Sequence, residues 1–270
     1  MMLDVQGRPA YAYTGGKPFS TALPCVVFVH GALHDHSVWT LQARYWAHHG
    51  HAVLAVDLPG HGRSEGEALP DIESLGAWLL ALLDAAGVQQ AALVGHSMGS
   101  LIALEAAAQA PQRCSRLVMV GSAWPMKVSD ALLATARERP LAAMRMVNAF
   151  SHAGIAAKPG YPGPGAWLHG GNLALMERTQ AGYAQAHAQA NLFEHDFQVC
   201  DRYQGAPAAC EKVQAPVHLI LGQRDQMTPA RAAQDLAQRL RAQVQRLPAG
   251  HSLMTEAPEP LLNAMKTALA

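Results

Sequence analysis

A serine, an aspartate and a histidine, far apart in the chain, are the residues best equipped for chemistry. Ser97 stands in Gly95-His96-Ser97-Met98-Gly99. A Gly-x-Ser-x-Gly between a strand and a helix is the pattern of a nucleophile elbow, a turn so tight that its central residue is strained and its neighbours must be small. Gly95 and Gly99 let strand and helix approach each other, and the Ser97 hydroxyl is left projecting. The helix that follows aims its free N–H groups and its dipole at the same spot, which favours negative charge there. A serine hydroxyl is a poor nucleophile at neutral pH, so it needs a base within reach and a third group to orient that base. Asp225, in Gly222-Gln223-Arg224-Asp225, and His251, in Pro248-Ala249-Gly250-His251-Ser252, can supply both. The chemistry these groups permit is attack on a carbonyl carbon through a covalent acyl-enzyme. The elbow alone also fits an ordinary strand–helix turn; an acid and an imidazole in loops at matching strand ends argue against that.

The elements that must position these groups follow from the hydrophobic pattern. Cys25-Val26-Val27-Phe28-Val29, Ala52-Val53-Leu54-Ala55-Val56, Ala91-Ala92-Leu93-Val94, Leu117-Val118-Met119-Val120 and Val217-His218-Leu219-Ile220-Leu221 are short continuous apolar runs, as expected of strands buried on both faces. Val244 to Leu247 is a short last strand. Tyr11 to Thr14 is a weaker strand candidate in a poorly patterned N-terminal stretch, with Gly15-Gly16 as a turn. Helices are expected from Ser37 to His49 with Ser37 as N-cap, from Asp71 to Ala86, from Ser100 to Ala110, from Pro229 to Arg241 behind Thr228, and from Pro258 to Leu269. Strands alternating with helices give an α/β fold, a mostly parallel central sheet with helices on both faces. The alternation breaks near Ser122. Ala131 to Val147 and Leu173 to Phe197 are helical in tendency, and residues 158–171, rich in proline and glycine, are irregular. The expected organisation is a core of residues 1–123 and 213–270, with 124–212 inserted after the strand at 117–120 as a mainly helical cap, or lid. In open α/β sheets, sites form at the C-terminal ends of the strands, where Asp225 and His251 both fall.

An oxyanion hole needs two backbone N–H groups. Met98, directly after the nucleophile, offers one. Ala32, in His30-Gly31-Ala32 after the first buried strand, offers the other, and Gly31 lets that loop pass close to the elbow.

Together these residues carry a resemblance. His30-Gly31-Ala32, Trp39, Asp57-Leu58-Pro59-Gly60-His61-Gly62-Arg63-Ser64, Gly95-His96-Ser97-Met98-Gly99, Gly222-Gln223-Arg224-Asp225 and Gly250-His251 each resemble a landmark of the α/β-hydrolase-fold serine hydrolases. The likeness spans about residues 25–121 and 213–270, and is nearest to the capped carboxylesterase, carbon–carbon bond hydrolase and cofactor-free haloperoxidase group. The order Ser97, Asp225, His251 is that of the family's triad. The resemblance implies hydrolysis of a small-molecule carboxylic ester, with the same groups also suited to a vinylogous diketone, a thioester or a lactone. Dehalogenases and epoxide hydrolases of the family carry aspartate at the elbow, where this chain has Ser97. Relatives that cleave carbon–carbon bonds often have Asn before the serine; His96 leans toward an esterase. A ligand-binding protein that keeps the fold without turnover is the rival of another class, and the complete triad argues against it.

The composition narrows the partners. Lys plus Arg equals Asp plus Glu at 20 each among 270 residues, so no basic nucleic-acid footprint is expected. The N-terminus lacks a basic stretch followed by an apolar one, and no apolar run is long enough to span a bilayer. Four scattered cysteines, Cys25, Cys114, Cys200 and Cys210, form no C-x-x-C and suggest reduced thiols of a cytoplasmic protein. No metal or organic cofactor is called for: His34-Asp35-His36 resembles a ligand cluster, but reads better as a polar loop at the pocket mouth. Leu33, Trp124, Met126, Met144 and Trp167 are the candidates for an apolar substrate pocket; the competing role is to pack the lid onto the body.

Overall fold

A computed structural model describes residues 1–153 and 168–270. Trp167 and most of the Pro/Gly-rich run lie outside the described residues.

The apolar runs form the middle of an 8-stranded sheet in the order β1-β2-β4-β3-β5-β6-β7-β8. Its strands are β1 (Met2–Val5), β2 (Arg8–Tyr13), β3 (Cys25–Val29), β4 (Ala52–Val56), β5 (Ala91–His96), β6 (Cys114–Val120), β7 (Val217–Gly222) and β8 (Gln243–Leu247). From β4 to β8 every neighbouring pair is parallel; β1 and β2 form an antiparallel hairpin that joins β4. Successive side chains of a strand point to opposite faces, and here both faces are apolar. Val27, Val29, Leu54, Val56, Leu93, Leu117 and Leu219 pack into one cluster, under α2 (Ile72–Ala85) and α3 (Met98–Gln109). Val26, Phe28, Val53, Ala55, Val94, Val118 and Ile220 pack into the other, with α1 (Thr40–His48), the short α10 (Leu253–Glu256) and α11 (Pro258–Leu269). Continuous hydrophobic runs are what such two-sided burial requires.

The helices start where backbone donors find a partner. Asp71 accepts from the Ser74 N–H and caps α2. The helix expected from Ser37 begins differently. Asp35 is the cap, accepting from Ser37, and a 3-10 turn over His36–Trp39 precedes α1. Thr228 is also no cap: Pro229 precedes a 3-10 turn, Ala230–Ala233, which leads into α9 (Gln234–Arg239). The Thr228 hydroxyl is engaged elsewhere, as described below.

Between β6 and β7 the chain forms α4 (Asp130–Glu138), α5 (Pro140–Ser151), α6 (Leu168–Ala186), α7 (Leu192–Arg202) and α8 (Ala206–Lys212). Pro140 lacks the N–H a continuous helix would need there, and splits the expected Ala131–Val147 helix in two. Gly170 and Gly171, expected in irregular chain, lie inside α6. Helices α4 to α7 have their own apolar cluster, including Ala136, Met144, Met176 and Phe193. The end of α7 and all of α8 face the other way: Val199 and Cys200 of α7 and Ala206, Ala209 and Cys210 of α8 join the cluster that holds α3. All four cysteines are free and buried. Among the described residues, no helix is long and apolar enough to cross a membrane.

Candidate active site

Ser97 sits at the tip of β5, where the strand turns directly into α3. Its backbone takes φ 52, ψ −121, a conformation that costs a residue with a side chain on the order of 1–3 kcal/mol. The turn is held from both sides: the Ser97 N–H donates to Val120 O of β6 at 2.9 Å, and the Ser100 N–H donates to Ser97 O at 2.9 Å. A Cβ on Gly95 would collide with the backbone of Gly99, and one on Gly99 with the carbonyls of Val29 and His30. Only glycine at both positions lets β5, α3 and β3 meet.

His251 follows β8, and Asp225 follows β7. The His251 Nδ1–H donates to Asp225 Oδ2 at 2.8 Å, with both residues buried. Every lone-pair direction of the carboxylate is used: Oδ1 accepts from the Met227 and Thr228 N–H groups at 2.8 Å each, and Oδ2 also accepts from the Thr228 hydroxyl at 2.8 Å. Burial alone would raise the Asp225 pKa; His251 and the Thr228 donors outweigh it and hold the carboxyl below its ordinary value. The Thr228 hydroxyl also lies 2.9 Å from Gly121 O and 3.1 Å from His251 Nδ1. Thr228 therefore ties acid, imidazole and the end of β6 together. In the sequence Thr228 signals only a helix start; its spacing of three from Asp225, which suits a side-chain turn, is the one sign of this second role.

Two further histidines brace the site. His96 is buried, and its Nε2–H donates to the His251 carbonyl at 2.9 Å. Burial pushes its pKa well below the ordinary value, so it is neutral. His30, fully buried, donates from Nδ1 to Gly31 O at 2.8 Å and accepts from the Leu58 N–H at Nε2, 3.1 Å away. Burial, reinforced by the neighbouring His61, lowers its pKa to about 4. The Gly31 carbonyl belongs to the same peptide as the Ala32 N–H. By holding that carbonyl, His30 sets the direction of the N–H. Among the described residues, the Ala32 N–H engages no protein acceptor. The Met98 N–H, first in α3, has no intrahelical acceptor.

A cavity of about 60 Å³ gathers Ser97, His251, Ala32, Met126, Val147 and Phe197. Of the apolar pocket candidates, Met126 lines it. Leu33 and Met144 are packed in the cluster of α4 to α7 instead, and Trp124 lies against the body core. A larger groove of about 850 Å³, between α6 and the 60–66 loop, holds none of the three chemical groups. Asp35, His36 and Asp57 bring ligand-type atoms within 4.8 Å of one another. Those atoms are occupied by the fold: Asp57 Oδ1 accepts from the His36 backbone and ring, Asp57 Oδ2 from the Arg63 N–H, and Asp35 from Ser37 and Arg178.

A mostly parallel sheet, with a strained elbow serine and a carboxylate-bound histidine opening on one cavity, defines an enzyme of the hydrolase class built on α/β architecture. The chain belongs to the alpha/beta hydrolase fold family, whose model matches residues 24–258. It is 40% identical over 111 residues to the dihydrolipoyllysine-residue acetyltransferase component of the acetoin cleaving system of Pseudomonas putida, a match that covers 40% of this chain and 28% of that protein. It is 29% identical over 257 residues to the pimeloyl-[acyl-carrier protein] methyl ester esterase of Nitrosomonas europaea, covering 89% of this chain and 93% of that one. Among solved structures, the enol-lactonase from Burkholderia xenovorans LB400 superposes with a TM-score of 0.79 at 20% identity, covering 100% of this chain and 99% of that chain.

Proposed function

We propose that this hydrolase cleaves small-molecule carboxylic esters through an acyl-enzyme on Ser97. The Ser97 Oγ attacks the carbonyl carbon while its proton passes to His251 Nε2. The Ala32 and Met98 N–H groups stabilise the resulting oxyanion. His251 then protonates the leaving oxygen, and the alcohol departs. Water, deprotonated by the same nitrogen, attacks the acyl carbon; the acid leaves and Ser97 regains its proton. Asp225 fixes the His251 ring with its proton on Nδ1 and stabilises the cation formed in each half-reaction.

The observation that carries this reading is the His251–Asp225 hydrogen bond at the wall of the cavity that holds Ser97. With Nδ1 committed to the carboxylate, Nε2 is the nitrogen left to act as base. The Nitrosomonas relative, named for a methyl ester, supports the ester as the bond class. Helices α4 to α7 serve as the lid, and the cavity wall they supply through Val147 and Phe197 sets which acyl or alcohol groups fit. A chain-length series of p-nitrophenyl esters, hydrolysed by wild type and by Ser97→Ala side by side, tests the reading. Turnover by the wild type that disappears in the variant is expected; equal turnover by both contradicts it.

A further inference from the structure

The loop that offers the Ala32 N–H does not stand on the body alone. The next residue, Leu33, has φ 56, a left-handed backbone at a residue with a branched side chain. Such a conformation persists only where its surroundings enforce it. Here the surroundings are the inserted helices. The Leu33 side chain is fully buried among Met144 of α5, Met176 of α6 and Phe193 of α7. The Leu33 N–H donates to Asp196 Oδ2 of α7 at 2.7 Å. The same oxygen accepts from the His61 Nε2–H at 2.9 Å, and the His61 Nδ1–H donates to Pro59 O at 3.0 Å. Asp196 and His61 are both buried. On the other side of the loop, the ring of His34 faces the Ala32 carbonyl and, at its second nitrogen, Asn172 Oδ1 of α6, each at 2.8 Å.

The Ala32–Leu33 peptide is thus gripped at both its polar ends by groups on or tied to the lid, while His30 grips the peptide before it from the body. We propose that Asp196 is a positioning residue for the reaction: through the Leu33 N–H it anchors the oxyanion loop to α7, so the lid completes the oxyanion hole as well as walling the pocket. Movement of α7 away from the body would release Leu33, and with it the orientation of the Ala32 N–H. Leu33, expected from sequence to touch substrate, then works as a plug that docks loop to lid. The inference rests on the reading of Ser97 as nucleophile, but the anchoring it describes can be measured without turnover.

The test compares Asp196→Ala, Asp196→Asn and Leu33→Gly with wild type. Three quantities are read: kcat and KM on a short-chain p-nitrophenyl ester, the inhibition constant of a small alkylboronic acid, and hydrogen exchange in residues 31–34. A boronic acid forms a tetrahedral adduct on an active serine and places an oxygen in the oxyanion hole, so it senses the hole directly. Asp196→Ala is expected to lower kcat by about tenfold or more with little change in KM, and to weaken boronic acid binding by a similar factor, as a misaligned oxyanion donor would. Exchange at residues 31–34 should rise on the order of tenfold. Asp196→Asn keeps an acceptor oxygen of the same reach and should recover most of the lost kcat. If Asp196→Ala does not fold, Leu33→Gly, which tolerates the left-handed backbone but removes the plug, should show the same pattern. Wild-type kcat, boronic acid affinity and exchange in the folded variants would overturn the proposal. Equal activity of Ser97→Ala and wild type would instead overturn the reading of Ser97, and the exchange measurement would still decide the anchoring.

Discussion

Replacing Asp225 by asparagine changes one atom, and the structure dictates where that atom goes. Two backbone donors, the Met227 and Thr228 N–H groups, face Oδ1. They demand an oxygen, so the asparagine amide nitrogen must take the Oδ2 place, 2.8 Å from His251 Nδ1. An NH2 there donates to the ring. Nδ1 becomes an acceptor, and the imidazole proton moves to Nε2, the nitrogen that accepts from Ser97 in the proposed mechanism. The base is then present, well placed and in the wrong tautomer. The cost of that error is about 10,000-fold in kcat, or about 5.4 kcal/mol of transition-state stabilisation. The Thr228 hydroxyl can accept from the new NH2 and turn its one proton to Gly121 O, 2.9 Å away, so the fold loses little. The assay is kcat on a p-nitrophenyl ester together with thermal unfolding, and the histidine tautomer is readable from imidazole nitrogen NMR. Activity within tenfold of wild type, in a folded protein with the proton on Nε2, would refute the reasoning.

Three other outcomes follow from the same contacts. Thr228→Val removes a buried hydroxyl whose one proton lies between Asp225 Oδ2 and Gly121 O; it should destabilise the protein by about 1.5–3 kcal/mol, seen in denaturant melts, and lower kcat without altering the preferred acyl length. His61→Gln should reveal a pH-dependent ion pair. Burial opposes the charge on His61, but Asp196 outweighs it and raises the pKa; burial opposes the Asp196 charge too, and His61 outweighs it and lowers that pKa. The histidine's contribution is full below its unfolded pKa, near 6.5, and lost as pH rises through the higher folded value; the aspartate's is present above about 3.9 and lost in acid. The Tm gap between wild type and His61→Gln should therefore be widest in mildly acidic buffer and narrow toward alkaline pH; a gap that widens there contradicts the pairing. Gly99→Ala forces a methyl into the Val29 and His30 carbonyls; a loss of about 3 kcal/mol or more, or failure to fold, is expected, and a fully stable variant would dispute the packing at the elbow.

The parts of this molecule that were legible in sequence are those in which local pattern and final environment agree. β3 and β4 follow the apolar runs residue for residue, because both faces of these strands are buried and every side chain must be apolar. α11 runs from Pro258 to Leu269 as its first-turn proline and apolar spacing indicate. Ser97, Asp225 and His251, the groups proposed to react, stand out in the sequence because each follows the end of a recognisable strand. The residues that escaped notice owe their roles to contacts distant in sequence. Asp196 looks like one acid on an amphipathic helix; only folding brings it to Leu33, 163 positions away, and to His61. Thr228 and Ser37 carried a capping signal, but a stronger acceptor or cap lay nearby, Asp225 in one case and Asp35 in the other. Leu33 was expected at the substrate; at its positive φ the side chain is buried instead in the cluster of α5, α6 and α7.

Ester cleavage by the proposed mechanism requires Ser97 to be an activated nucleophile. Treatment with a fluorophosphonate, followed by peptide mapping, tests that most directly, since only a serine with a base and an oxyanion hole reacts quickly. One adduct on the peptide containing Ser97, formed at the rate at which esterase activity disappears and absent in Asp225→Asn, is the predicted result. No adduct at Ser97, or full activity after Ser97 is labelled, would contradict it.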